Sequence, residues 1–266
     1  MSVRLLTALL GACVVTTVVG AMALVGPQAG QPETTDKASQ PWRILVFSKT
    51  AGFRHGSIPA GIESVKGIGA RGGFGVDATE DSAAFTDTNL SQYKAVVFLN
   101  TTGDVLDDAQ QAAFERYIRA GGGYVGIHSA ADTEYDWPWY GKLVGAYFKG
   151  HPPVQEATIH VEDRTHPSTQ HLSEQWVRTD EWYDYRAVPA PQVGILLRLD
   201  ESTYERGGMG QNHPIGWYHE FDGGRAFYTG GGHTDEAFAE PDFVQHLTGA
   251  ILWAAQKAEI ASEAGR

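Results

Sequence analysis

The sequence predicts a doubly wound α/β domain with a mainly parallel central sheet, helices on both faces and extra antiparallel strands at one edge. Three observations carry that expectation. The apolar runs at residues 43–48, 95–99 and 124–127 do not alternate with polar residues, as expected of strands buried on both faces. Helical patterns separate these runs, so the order reads strand, helix, strand, helix, strand. Beyond residue 152 the strand-like runs at 158–161, 193–199, 215–219 and 225–229 are joined by Gly/Pro turns, the pattern of antiparallel additions.

The elements follow in chain order. Residues 1–25 carry one charge, Arg4, ahead of a nearly unbroken apolar run from 5 to 25. This is the pattern of an export signal, with a cleavage site at Ala21-Met22-Ala23 or near Ala29, and its length also suits an uncleaved N-terminal membrane anchor. Lipidation at Cys13 fits less well, because the chain stays apolar beyond it. Residues 26–41, rich in Gln, Thr and Pro, read as a flexible linker. Residues 42–257 form the domain and 258–266 a C-terminal tail. The expected location is secreted or extracytoplasmic, with membrane contact only through an uncleaved leader.

Within the domain, residues 57–70 form a helix weakened by several glycines. Asp107 with Gln110 makes a capping box. Ala113, Phe114, Tyr117 and Ile118 then recur at helical spacing until Gly121-Gly122-Gly123 stops the helix. The last helix, 242–256, carries Phe243, Leu247, Ala250, Ile251 and Ala254 on one face.

Composition excludes some functions. With 32 acids against 20 bases the net charge is −12, and there is no Lys/Arg run, so no nucleic-acid partner is expected. The single cysteine, Cys13, lies in the leader, so the domain has no disulfide, thiolate metal site or cysteine nucleophile.

Ligands of such sheets bind at the carboxyl ends of the strands. Three strand ends each deliver a histidine: His55 after the first strand, His128 after the third and His233 after residues 225–229. Each could instead cap a helix or bond a carbonyl. The glycine-flanked turn at His128 has the geometry of a nucleophile elbow, with Ser129 expected to cap the following helix. If residues 180–183 are a strand, Asp180 and Glu181 point to opposite faces, Glu181 with Tyr183 and Asp180 with Trp182. Either carboxylate could pair with an arginine or serve acid/base chemistry or metal ligation. Trp137, Trp139, Tyr140, Trp182 and Trp217 could be core residues or flat platforms for a sugar, and Trp217 shares a strand face with His219. The sequence identifies no cofactor with certainty. A divalent metal, zinc above all, would need ligands assembled from distant loops, since no local His-x₃-His spacing exists.

Five segments in order resemble the ThuA-like family, named for trehalose utilisation. They are Lys49-Thr50-Ala51-Gly52-Phe53-Arg54-His55, the run from Gly121 to Ala130, Asp180-Glu181-Trp182-Tyr183, His213-Pro214-Ile215-Gly216-Trp217 and Gly232-His233-Thr234. The resemblance runs from about residue 43 to 254. It implies a flavodoxin-like, class I glutamine amidotransferase-like three-layer α/β sandwich in which His128 stands where amidotransferases carry cysteine, closing the acyl-thioester route. It further implies carbohydrate processing of trehalose, another glycoside or a 3-keto-sugar by hydrolysis or elimination. His128 or His233 would be general base or metal ligand, Glu181 the acid or its partner, and His55 a positioning group. Arg54, Asp132, Trp182 and Trp217 would surround a small saccharide. The alternative is a non-catalytic sugar-binding module on a degenerate amidotransferase fold.

Overall fold

The computed structural model describes residues 41–257. The leader, most of the linker and the tail beyond 257 lie outside the described residues. The order of elements is β1 (Arg43–Phe47), α1 (Ile58–Gly72), β2 (Gly75–Thr79), α2 (Asp87–Leu90), β3 (Ala95–Leu99), α3 (Asp108–Arg119), β4 (Gly123–Ile127), α4 (Pro138–Val144), β5 (Phe148–Gly150), β6 (Gln155–Val161), β7 (Gln175–Asp180), β8 (Asp184–Tyr185), β9 (Gly194–Leu199), β10 (Pro214–Phe221), β11 (Gly224–Thr229) and α5 (Pro241–Ala254). Among the described residues no helix is long and apolar enough to cross a membrane.

Nine strands form one sheet in the order β2-β1-β3-β4-β11-β10-β9-β6-β7, and β5 and β8 make a separate two-stranded ribbon. The five strands from β2 to β11 are parallel, and the pairs from β11 outward to β7 are antiparallel. The expected fold class holds, including the antiparallel edge. Strands β3 and β4 are buried at every position, which is why their sequences show no alternation.

Helix α3 begins as its sequence requires. The Asp107 carboxylate accepts the Gln110 N–H at 2.9 Å, and the Gln110 side chain accepts the Asp107 N–H at 3.0 Å. The glycines that weaken α1 on paper permit close packing. A Cβ on Gly61 would lie 2.9 Å from both Leu99 and Phe238.

The antiparallel wing curls. Four strand spacings of about 4.8 Å would put β7 about 19 Å from β11 on a flat sheet. Yet Asp180, the last residue of β7, accepts the N–H of Gly232 just beyond β11 at 2.8 Å. Register shifts between β9 and β10 at Pro214, Gly216 and Trp217 supply local bending. The wing wraps the start of α5, where Trp176 and Arg178 bond Glu240 and the Arg178 guanidinium lies 4.5 Å from the Phe243 ring. Four reversals of direction also return β7 to the sense of β11, so its carboxyl end reaches the same sheet edge.

Two buried histidines set an acid limit on this core. His246 of α5 donates from Nδ1 to the Ser168 carbonyl at 2.9 Å, and burial pushes it down to about 3. Burial likewise lowers His166 to about 4. Below about pH 6.5 the unfolded chain takes up protons that these folded groups refuse, so stability falls as pH falls from 6.5 toward 4. Thermal melts at pH 7 and pH 5 should show a lower Tm at pH 5. His246→Asn, which keeps a donor for Ser168, should flatten that slope; a slope identical to wild type would remove His246 as a cause.

Candidate functional site

Four chain segments converge at the carboxyl edge of the sheet. The loop after β1 brings His55, β4 ends on His128, the turn after β11 brings His233, and β7 runs directly into Glu181. His55, His128 and Glu181 are buried and His233 is partly so, and one ligand atom from each lies within 4.8 Å of the others.

His128 opens the short His128–Asp132 turn at φ +50°, a left-handed conformation in which a side chain is strained and which is concentrated at functional sites. Its Nδ1 lies 2.8 Å from the Gly230 carbonyl. A carbonyl only accepts, so Nδ1 carries a proton and Nε2 is the ring atom turned to the cluster. That Nε2 is 3.3 Å from His233 Nδ1 and 3.5 Å from Glu181 Oε2. The Tyr183 ring packs on the His128 ring, centroids 4.1 Å apart.

His233 is fixed through its backbone. Asp180 accepts the N–H of Gly232 at 2.8 Å and of His233 at 3.0 Å, while Arg178 pairs with Asp180 at 2.9 Å and with Glu240 at 2.7 Å. Gly232 has φ +111°, which suits glycine. The strand expectation is thus met in part: Asp180 takes the arginine partner, and Glu181, its neighbour, turns the other way into the cluster. His233 Nδ1 lies 3.2 Å from Glu181 Oε2, and that hydrogen bond raises the imidazole above its ordinary value.

Burial would raise the Glu181 carboxyl, but hydrogen bonds to His128 and His233, and their charges, outweigh it and hold it at about 2. Its other oxygen lies 2.9 Å from His151 Nδ1. His55 sits 4.9 and 5.2 Å from the His128 and His233 rings, centroid to centroid. Burial, with the neighbouring imidazoles acting in the same sense, lowers it to about 3. Asn100, left-handed at φ +50° and buried, ends β3 and donates to Ser57 Oγ and to the Gly232 carbonyl, both at 3.0 Å. It ties the His233 turn to the start of α1.

The other expected residues are engaged in other contacts. Trp182 and Trp217 are 0% exposed, their indole N–H groups donating to the carbonyls of Gln155 and Val144 at 2.9 and 2.8 Å, so neither offers a face to a sugar. Trp217 and His219 do share a face, turned toward α4. Arg54 makes a surface ion pair with Glu80 at 2.7 Å. Asp132 accepts from Tyr135 at 2.5 Å. Ser129 does not cap a helix; its Oγ lies 3.3 Å from His55 Nδ1. His151 lies in a segment with no hydrophobic period, which hides it from sequence reasoning, and Phe53 stands nearly at a right angle to His55, centroids 4.9 Å apart, a contact that sequence alone does not signal.

A family model described as ThuA, trehalose utilisation, matches residues 43–254. Among solved structures, a ThuA-like protein from Bacteroides uniformis ATCC 8492 is 25% identical at a TM-score of 0.68, covering 85% of this chain and 95% of its own. A ThuA-like protein from Parabacteroides merdae ATCC 43184 is 22% identical at a TM-score of 0.69, covering 82% and 92%, and shares the fold. A β-galactosidase from Bacillus circulans sp. alkalophilus is 13% identical at 0.52, covering 80% of this chain and 31% of that one, a likeness of fold alone. No curated protein matches the chain.

Proposed function

Because the chain belongs to the ThuA family of trehalose utilisation, we propose that it is an exported carbohydrate-processing enzyme. Its working centre would be a divalent-cation site, zinc above all, held by His128, His233 and Glu181 with His55 beside them. One observation carries this reading. His128 Nε2, His233 Nδ1 and Glu181 Oε2 form a triangle with edges of 3.3, 3.2 and 3.5 Å. Ligands about 2.0–2.1 Å from a tetrahedral zinc stand about 3.3 Å apart. Converging lone pairs repel unless a proton or cation lies among them, and two imidazoles with a carboxylate are ordinary zinc donors. The outer contacts also fit, since the Gly230 carbonyl fixes the His128 tautomer and His151 supports Glu181.

A bound zinc would supply Lewis acidity toward a sugar oxygen or carbonyl. The chain's own groups do the rest. His128 and His233 present nitrogen to the centre, Glu181 stays ionised, and neutral His55 accepts or coordinates at the rim. The reaction class is hydrolysis or elimination on a glycoside or keto-sugar. His233, the most exposed of the three closest groups at 24% against 0% for His128 and 8% for Glu181, marks the side from which substrate would enter. Export rests on the apolar leader, and a secreted protein beginning between residues 24 and 30 would support cleavage.

Elemental analysis of protein purified without chelators should find one zinc per chain. Zinc at a hundred times its Kd should stabilise the apo-protein by about 2.7 kcal/mol, a Tm rise of about 5–11 °C for a domain of this size. Trehalose and a 3-keto-glucoside should turn over in the zinc-loaded protein and not after chelation. Absence of any bound divalent ion would overturn the metal reading, and saccharide binding without turnover would leave a sugar-binding module.

A further inference from the structure

We propose that Phe53 is the stacking platform for the substrate, carrying the apolar face of a pyranose ring beside the His55–His128–His233–Glu181 cluster. This inference rests on the carbohydrate reading above and adds a residue for recognition. Four large hydrophobic side chains are exposed among the described residues, and Phe53, at 66%, is the aromatic one. Burial removes Trp182 and Trp217 from that role, whereas Phe53 has a free face.

Its position is specific. The Phe53 ring stands edge-on to His55, centroids 4.9 Å apart at 83°, and His55 in turn lies 4.9 Å from His128. A ring lying on Phe53 would therefore neighbour the first histidine of the cluster. A pyranose presents C–H groups on one face, and these suit the negative face of an aromatic ring.

The display is also rigid. Buried Thr102, in the loop after β3, accepts the N–H of Ala51 at 2.7 Å and of Gly52 at 3.3 Å through its carbonyl, and its hydroxyl donates to the Phe53 carbonyl at 2.8 Å. Gly103, at φ +74°, lets the two loops touch, since a Cβ there would lie 3.1 Å from Gly52 N. An exposed aromatic ring on a backbone pinned from both sides is preorganised for a ligand, and little ordering cost remains on binding.

The test titrates the zinc-loaded full chain with trehalose, maltose and methyl glucoside by calorimetry, comparing wild type with Phe53→Ala, Phe53→Leu and Phe53→Trp. Zinc stoichiometry and Tm should match wild type in all three variants. Phe53→Ala and Phe53→Leu should weaken saccharide binding about tenfold and raise KM more than they lower kcat, and Phe53→Trp should restore affinity. Wild-type affinity in Phe53→Ala would overturn the inference and leave the carbohydrate reading intact. A wild type that binds zinc but none of the three sugars would overturn the carbohydrate reading and this inference with it. Phe53-dependent sugar binding without zinc would sustain the inference and remove the metal.

Discussion

His128→Asn should abolish cation binding at the cluster while leaving the fold standing. Asparagine tolerates the left-handed backbone that His128 adopts at φ +50°, and its amide can replace Nδ1 as donor to the Gly230 carbonyl. What it cannot replace is Nε2, the atom 3.3 Å from His233 Nδ1 and 3.5 Å from Glu181 Oε2. Zinc affinity should fall by more than the roughly 10–100-fold typical of an outer-contact mutation, and turnover should fall with it. His128→Ala should lose the ion equally and in addition cost about 1–2 kcal/mol of stability, because alanine pays the left-handed strain that asparagine largely avoids. Competition titrations and melts of the metal-free proteins separate the two effects. Unchanged zinc stoichiometry in His128→Asn would take His128 out of the ligand set.

Asp180→Ala should be the most destabilising single change near the site. Both Asp180 and its partner Arg178 are almost fully buried, at 0% and 4% for the side chains, so removing the carboxylate leaves a buried guanidinium with Glu240 as its remaining carboxylate partner. Breaking such a pair costs about 3–5 kcal/mol, a Tm loss of about 6–20 °C in a domain of this size. The N–H groups of Gly232 and His233 lose their acceptor in the same step. Zinc affinity should therefore drop although Asp180 is no ligand, because the His233 turn is released. Asp180→Asn, retaining one acceptor oxygen, should lose less on both measures. A Tm within a degree or two of wild type in Asp180→Ala would show that Arg178 finds compensation in Glu240 alone.

The parts of this molecule that could be read from sequence share a local cause. β3 and β4 are buried on both faces and announce themselves as unbroken apolar runs, and the capping box of α3 needs only residues three apart. The histidine trio was legible because parallel strands open on one edge, so any residue just after such a strand is a candidate. β7 was harder: its inward face carries Trp176, Arg178 and Asp180 rather than aliphatic residues, so alternation gives no hydrophobic signal. β2, an edge strand with half-exposed residues, was missed for a similar reason. Glu181 could be named but not placed, since its arrival depends on four strand reversals and the curl of the wing. The burial of Trp182 and Trp217 depends on packing across the whole sheet, and an indole beside a histidine run reads the same whether it faces solvent or core.

The curl of the antiparallel wing has a mechanical meaning. Glu181 and Asp180 ride on the outermost strand, yet they grip the turn that follows the innermost antiparallel neighbour. The cluster is therefore a clasp holding a folded-over flap against the body, and prying the flap open dismantles it. Amide protons of β7 and of residues 230–233 should consequently exchange with solvent as one cooperative unit, and whatever tightens the clasp should slow them together.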